Sequence, residues 1–150
     1  MGKSYILFFM FFISLFCLVG CASMSDVLAS KDEGTAEVYP VTKEQAWDIS
    51  VAILRWSGTD AIEFHERQGY MLTSKGINLV TWGSMIGVWV EPIDEKNTKV
   101  TIVTKRKMAT HIATGFTEKS FQYKFHKTVN LIKSGQPLPI EEPDFDKIKW

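Results

Sequence analysis

Both cysteines of this 150-residue chain, Cys17 and Cys21, lie within its first 21 residues, so whatever folds downstream does so without a thiol of its own. A disulfide framework, a thiol nucleophile and a cysteine-ligated zinc site all need groups that this part of the chain lacks. An apolar core has to hold it. With 45% hydrophobic and 23% charged residues, the composition suits one globular domain.

The two cysteines sit in a distinctive context. Met1-Gly2-Lys3-Ser4 carries one positive charge, and Tyr5 to Val19 is an apolar run broken only by Ser14. This is the n-region and h-region pattern of a secretory signal. At about 15 residues the run is shorter than the ~20 that span a bilayer comfortably. Gly2 does not open a myristoylation motif, because Ile6 stands where Ser or Thr is required.

Leu18-Val19-Gly20-Cys21 follows the h-region directly and resembles the lipobox of bacterial lipoproteins. The resemblance implies a signal peptide over residues 1–20, a diacylglycerol on the Cys21 sulfur, cleavage before Cys21 and acylation of the new amino group. Each buried methylene contributes ~0.8 kcal/mol, so several acyl chains anchor stably where one does not. Ala22 follows the cysteine rather than Asp, which directs the expectation to the outer membrane, facing the periplasm. The membrane is thus the first expected partner.

Loss of Lys3 with the leader leaves 16 Lys and Arg against 17 Asp and Glu. A near-neutral chain has no large basic field for a nucleic-acid backbone, so nucleic acid is not an expected partner. Residues 21–37 hold Ser23, Ser25, Ser30, Asp26, Lys31, Asp32, Glu33, Gly34 and Thr35 with little apolar periodicity, and read as a flexible tether. About 16 such residues have a root-mean-square reach of about 20 to 25 Å.

The folded part is expected over residues 38–135. Thr42-Lys43-Glu44-Gln45 fits a capping box, followed by Ala46, Trp47, Ile49, Val51, Ile53 and Leu54, with Gly58 as the stop. Ile62 and Phe64 alternate with Glu63 and His65, then Arg67-Gln68-Gly69 turns the chain into Tyr70 to Ser74. Ile86, Val88 and Val90 alternate with Gly87, Trp89 and Glu91, and a polar turn from Pro92 to Asn97 leads into a strand from Lys99 to Met108. Thr117 caps a second helix with a stripe of Phe121, Phe125, Val129 and Ile132. The expected fold is α+β: a four-stranded antiparallel sheet from two hairpins, with two helices packed on one face. Residues 136–150 form an acidic tail with Pro137, Pro139 and Pro143.

The order α-β-β-β-β-α behind a lipobox resembles the small helix-grip lipoprotein domains of Gram-negative bacteria, such as those of the BamC subunit of the β-barrel assembly machinery. The matching pieces are Glu44-Gln45-Ala46-Trp47, Gln68-Gly69-Tyr70-Met71, Gly87 to Pro92 and Lys99 to Val103. That resemblance implies an envelope accessory role.

No motif points to catalysis, a metal or a cofactor. His65, His111 and His126 have no second ligand at i+2 to i+4. Glycines occur singly, which excludes phosphate-cradling loops, and Gly83-Ser84-Met85 lacks the spacing of a nucleophile elbow. The acid pairs Glu63/Glu66 and Asp94/Glu95 fall at strand edges and turns, where solvated carboxylates are expected, and Lys105-Arg106-Lys107 closes a strand near possible lipid phosphates. Strand alternation places Trp89 opposite the helix-covered face, where Met85 and Val103 join it. An open sheet face with an aromatic residue marks a contact surface. Phe145 and Trp150 give the tail apolar side chains to pack on the domain or on a partner. The expected function is therefore a non-enzymatic, membrane-anchored module that binds an envelope protein through Trp89, Met85, Val103, Phe145 and Trp150. The alternative is a carrier or sensor of an apolar ligand held between helix and sheet. Gly83 and Gly87 suggest a bulge or a close backbone approach.

Overall fold

A computed structural model describes residues 23–76, 83–106 and 116–147. Cys21, His111 and Trp150, and with them the expected lipidation site and the end of the tail, lie outside the described residues. The elements run α1 (Met24–Ala29), β1 (Thr35–Tyr39), α2 (Lys43–Trp56), β2 (Glu63–His65), β3 (Tyr70–Lys75), β4 (Ser84–Pro92), β5 (Thr98–Arg106) and α3 (Glu118–Lys133). Among the described residues no helix is long and apolar enough to cross a membrane.

The class is α+β, and the sheet is antiparallel throughout. Its strand count differs from expectation. Five strands stand in the order β1-β5-β4-β3-β2, because β1 adds to the meander β2 to β5 along the free side of β5. Thr35 pairs with Ile102 and Tyr39 with Thr98. Four of the five β1 residues are exposed, with only Tyr39 buried, so this edge strand shows no inside-outside alternation in its sequence.

Both long helices start where their caps specify. Thr42 Oγ1 accepts from the Gln45 backbone N–H while Gln45 Oε1 accepts from the Thr42 N–H, and Thr117 Oγ1 accepts from the Ser120 N–H. Each pairing satisfies donors that a helix start leaves free. Helix α2 buries Ala46, Ile49, Ser50, Ile53 and Leu54, and α3 buries Phe121, Phe125, Thr128, Val129 and Leu131, with Ile132 only partly covered. The Ser50 hydroxyl donates back to the Ala46 carbonyl at 2.7 Å, so its burial leaves no orphan donor. Together they close one face of the sheet over Met71, Ile86, Val88, Val90, Val100 and Ile102.

The other face is also closed, which corrects the expectation of an open one. The stretch read as a tether is built into the fold: α1, a 3₁₀ turn at Lys31–Glu33 and then β1. Ser23 and Asp26 cap α1 reciprocally, the Ser23 N–H donating to the Asp26 carboxylate. Val27, fully buried, packs with Leu72, Trp89 and Val103, and Met24, Tyr70 and Met85 pack around them. Six residues have little helical stability alone, so it is this apolar contact that holds α1 in place.

Candidate functional site

The residues expected to meet a partner on the second sheet face are mostly covered by the chain's own N-terminal segment. Trp89 is 5% exposed and Val103 2%, while Met85 is half-buried beside them. Alternation along β4 assigned Trp89 to its face correctly. Its cover comes from α1, part of the stretch read from sequence as a tether.

Two glycines let this segment come so close. A Cβ at Gly87 would lie 2.7 Å from both Val27 Cγ1 and the Trp89 ring. One at Gly34 would lie 2.6 Å from Val103 Cγ2 and 2.7 Å from the Ile102 carbonyl oxygen. The close approach suggested at Gly87 is therefore present, with Val27 and Trp89 filling the space.

Ion pairs flank the apolar contact. Lys31 Nζ lies 2.6 Å from Glu91 Oε1, Lys99 Nζ lies 3.1 Å from Glu91 Oε2, and Lys105 Nζ lies 2.7 Å from Glu33 Oε2. The Lys31 hydrogen bond, with Lys99 adding to it, holds the Glu91 carboxyl below the usual glutamate range. Lys105, read from sequence as closing a strand near lipid phosphates, and Lys99 on the same strand are thus engaged with acids of this chain. Beside Trp89, the Tyr70 ring stacks on His65 at 4.4 Å between centroids, and His65 Nε2 lies 2.6 Å from Glu63 Oε1.

Phe145 likewise packs on the domain itself. It is 6% exposed and meets the rings of Trp56 and Tyr123, each at 6.3 Å. Trp56 Nε1 donates to the Ile140 carbonyl at 3.0 Å, and Lys124 pairs with Glu142 at 2.8 Å. The tail is thereby strapped across α2 and α3.

Between α3 and the sheet, where an apolar ligand would have to sit, aromatic rings occupy the space among the described residues. Tyr39 and Phe125 centroids are 4.1 Å apart, and Phe121 and Phe125 5.8 Å. The Tyr39 hydroxyl donates to Glu37 Oε2 at 2.8 Å, and burial pushes its phenol well above the ordinary tyrosine value.

One acid of each pair has a partner nearby, Glu63 meeting His65 and Asp94 the turn that follows it. Asp94 Oδ1 accepts from the Lys96 and Asn97 N–H groups at 2.8 Å, which fixes the β4–β5 turn and holds its carboxyl below the usual aspartate range, the Asn97 side chain contributing most. Among the described residues no group of three or more His, Cys, Asp or Glu is placed to hold a metal ion.

What remains open is a shallow groove at the N-terminal end of α2, a feature that sequence patterning did not single out. It is lined by Lys43, Glu44, Trp47, Asp48 and Glu66. Phe64, 45% exposed, leans on the half-buried Trp47 with centroids 6.1 Å apart. Asp94 and Glu95 line an adjoining groove with Glu44 and Lys43. The arrangement sets the Trp47 ring in a mainly acidic groove, with the exposed Phe64 ring against it. Its signal in the sequence is Phe64, an aromatic residue on an edge strand of three residues. No family model matches the chain, and no curated protein matches it.

Proposed function

We propose that this protein is a lipoprotein of the cell envelope, lipidated at Cys21, that works by holding a protein partner rather than by catalysis. The observation that carries the reading is the α2 groove, where the half-buried Trp47 sits among Glu44, Asp48 and Glu66 and the exposed ring of Phe64 lies against it. Exposed aromatic pairs bounded by charge suit a protein contact, and the acidic rim suits a basic, apolar segment of the partner. This moves the contact surface from the Trp89 face, as first expected, to the opposite side of the sheet. Two hairpins with α2 and α3 on one face support the helix-grip likeness, to which α1 and β1 are additions.

Two measurements test the proposal. Metabolic labelling with a fatty acid should mark the wild type and leave Cys21→Ser unlabelled; equal labelling of the two ends the lipoprotein reading. In cells, a photo-crosslinking residue at Phe64 or Asp48 should trap a discrete protein that Trp47→Ala no longer traps, while one at His126 on α3 should not. The same capture from His126, or capture indifferent to Trp47→Ala, ends the groove reading.

A further inference from the structure

We infer that the α1 side of the sheet faces the phospholipid surface and the α2–α3 side faces away from it. The inference rests on lipidation at Cys21 and deepens that reading by fixing how the domain stands on the membrane.

The argument begins with chain length. Only two peptide units separate Cys21 from Ser23, the N-cap of α1. An extended chain spans at most about 3.6 Å per residue, so the lipid-bearing Cα lies within about 7 Å of that of Ser23. A flexible stretch of ~16 residues would instead give a reach of about 20 to 25 Å and leave the orientation free. Ser23 is itself fixed, because α1 is locked to the sheet through Val27 and Gly87, and the following turn through Gly34 and the Lys31–Glu91 and Lys105–Glu33 pairs.

The two sides also differ in what they would present to headgroups. Leu28 on α1 and Val38 on β1, at 39% and 51% exposure, are large apolar side chains left open on the N-terminal segment. Register puts Val38 opposite Lys99, and Lys99 opposite Glu91, on the face that α1 covers. On this side Lys31, Lys99 and Lys105 are paired with Glu91 and Glu33, and the exposed Asp26 and Asp32 leave it close to charge balance. Around the α2 groove, by contrast, Glu44, Asp48, Glu66, Asp94 and Glu95 outnumber Lys43, and anionic headgroups would repel them. The acidic groove then stands clear of the bilayer and open to a partner.

Single introduced cysteines test this in the full lipidated protein, whose Cys21 sulfur is already in thioether linkage. Leu28→Cys and Asp32→Cys report on the α1 side, Asp48→Cys and His126→Cys on the other, and all four positions are exposed. Each is labelled with a fluorophore and reconstituted into phosphatidylethanolamine and phosphatidylglycerol vesicles carrying brominated acyl chains, after mass spectrometry of the lipid at Cys21. Labels at 28 and 32 should be quenched severalfold more than those at 48 and 126. Equal or reversed quenching in a chain that carries its lipid overturns the orientation alone. A mature chain without lipid overturns both the orientation and the reading beneath it.

Discussion

Val27 and Gly87 are sixty positions apart in the chain and share one site in the fold: a Cβ at Gly87 would lie 2.7 Å from Val27 Cγ1. The strand residue lacks a side chain, and the helix residue fills the space. Gly87→Ala should therefore lower stability by about 1 to 3 kcal/mol through overpacking. Combining it with Val27→Ala should cost less than the sum of the two single changes, because contacting sites couple. Urea denaturation of the four proteins in the cycle measures the coupling, and strict additivity would show that the two residues do not compete for space.

Trp89→Ala should cost about 3 to 5 kcal/mol, the range for emptying a buried aromatic site. Removing residues 22–34 should destabilise the domain as well and leave Trp89 open to solvent, seen as a red shift and faster acrylamide quenching of tryptophan emission. A truncated chain with unchanged stability would mean that α1 covers the face without supporting it.

The contact between Phe145 and its two ring neighbours makes the tail part of the domain. Phe145→Ala should lose about 3 kcal/mol, and deletion of 141–150 at least as much. Thermal melts of both variants check this, and deletion without effect would show the strap to be dispensable.

Acid should loosen the N-terminal segment before the rest. The folded-state pKa of Glu91 lies below its ordinary value of 4.5, chiefly through the Lys31 hydrogen bond, and that of Glu33 is lowered by Lys105. Groups with depressed values contribute in full above about 4.5, and the contribution is lost as pH falls through the lowered folded-state values. Stability should thus decline below pH ~4.5, and Glu91→Gln should flatten part of that decline. Both carboxylates are substantially exposed, which keeps the effect modest. Urea midpoints from pH 6 down to pH 3 decide the matter; an unchanged slope in Glu91→Gln would remove this pair from the account.

Sequence and structure agree where local chemistry is strong. The boxes at Thr42/Gln45 and Thr117, the Pro92 to Asn97 turn and the apolar alternation of β4 all place their elements correctly, and Trp89 falls on its expected face. Disagreement gathers in residues 23–39. Helix α1 buries one residue of six and β1 one of five, too few for any period to show. The available signals were small: Ser23 and Asp26 at capping-box spacing, Val27 three after Met24, and Gly87 opposite a tryptophan that needed covering. The α2 groove was hard to foresee for another reason. Trp47 belongs to the apolar run of its helix, and it is the short β2 edge that leaves Phe64 and Trp47 half open.

The pairing of β1 with β5 sets an order for assembly. Thr35 meets Ile102 across 67 positions of chain, a separation whose closure entropy is met late in folding. The meander β2 to β5 can form from neighbours in sequence, but the first strand has no partner until the last has been made. Synthesis delivers the N-terminal segment first, and it docks only after Thr98 to Arg106 exist. A nascent chain therefore emerges with its N-terminal segment loose, which under the proposed anchoring at Cys21 leaves that cysteine free for processing and acylation. Closing of the sheet then draws that end in and converts a pliant leash into a fixed mount.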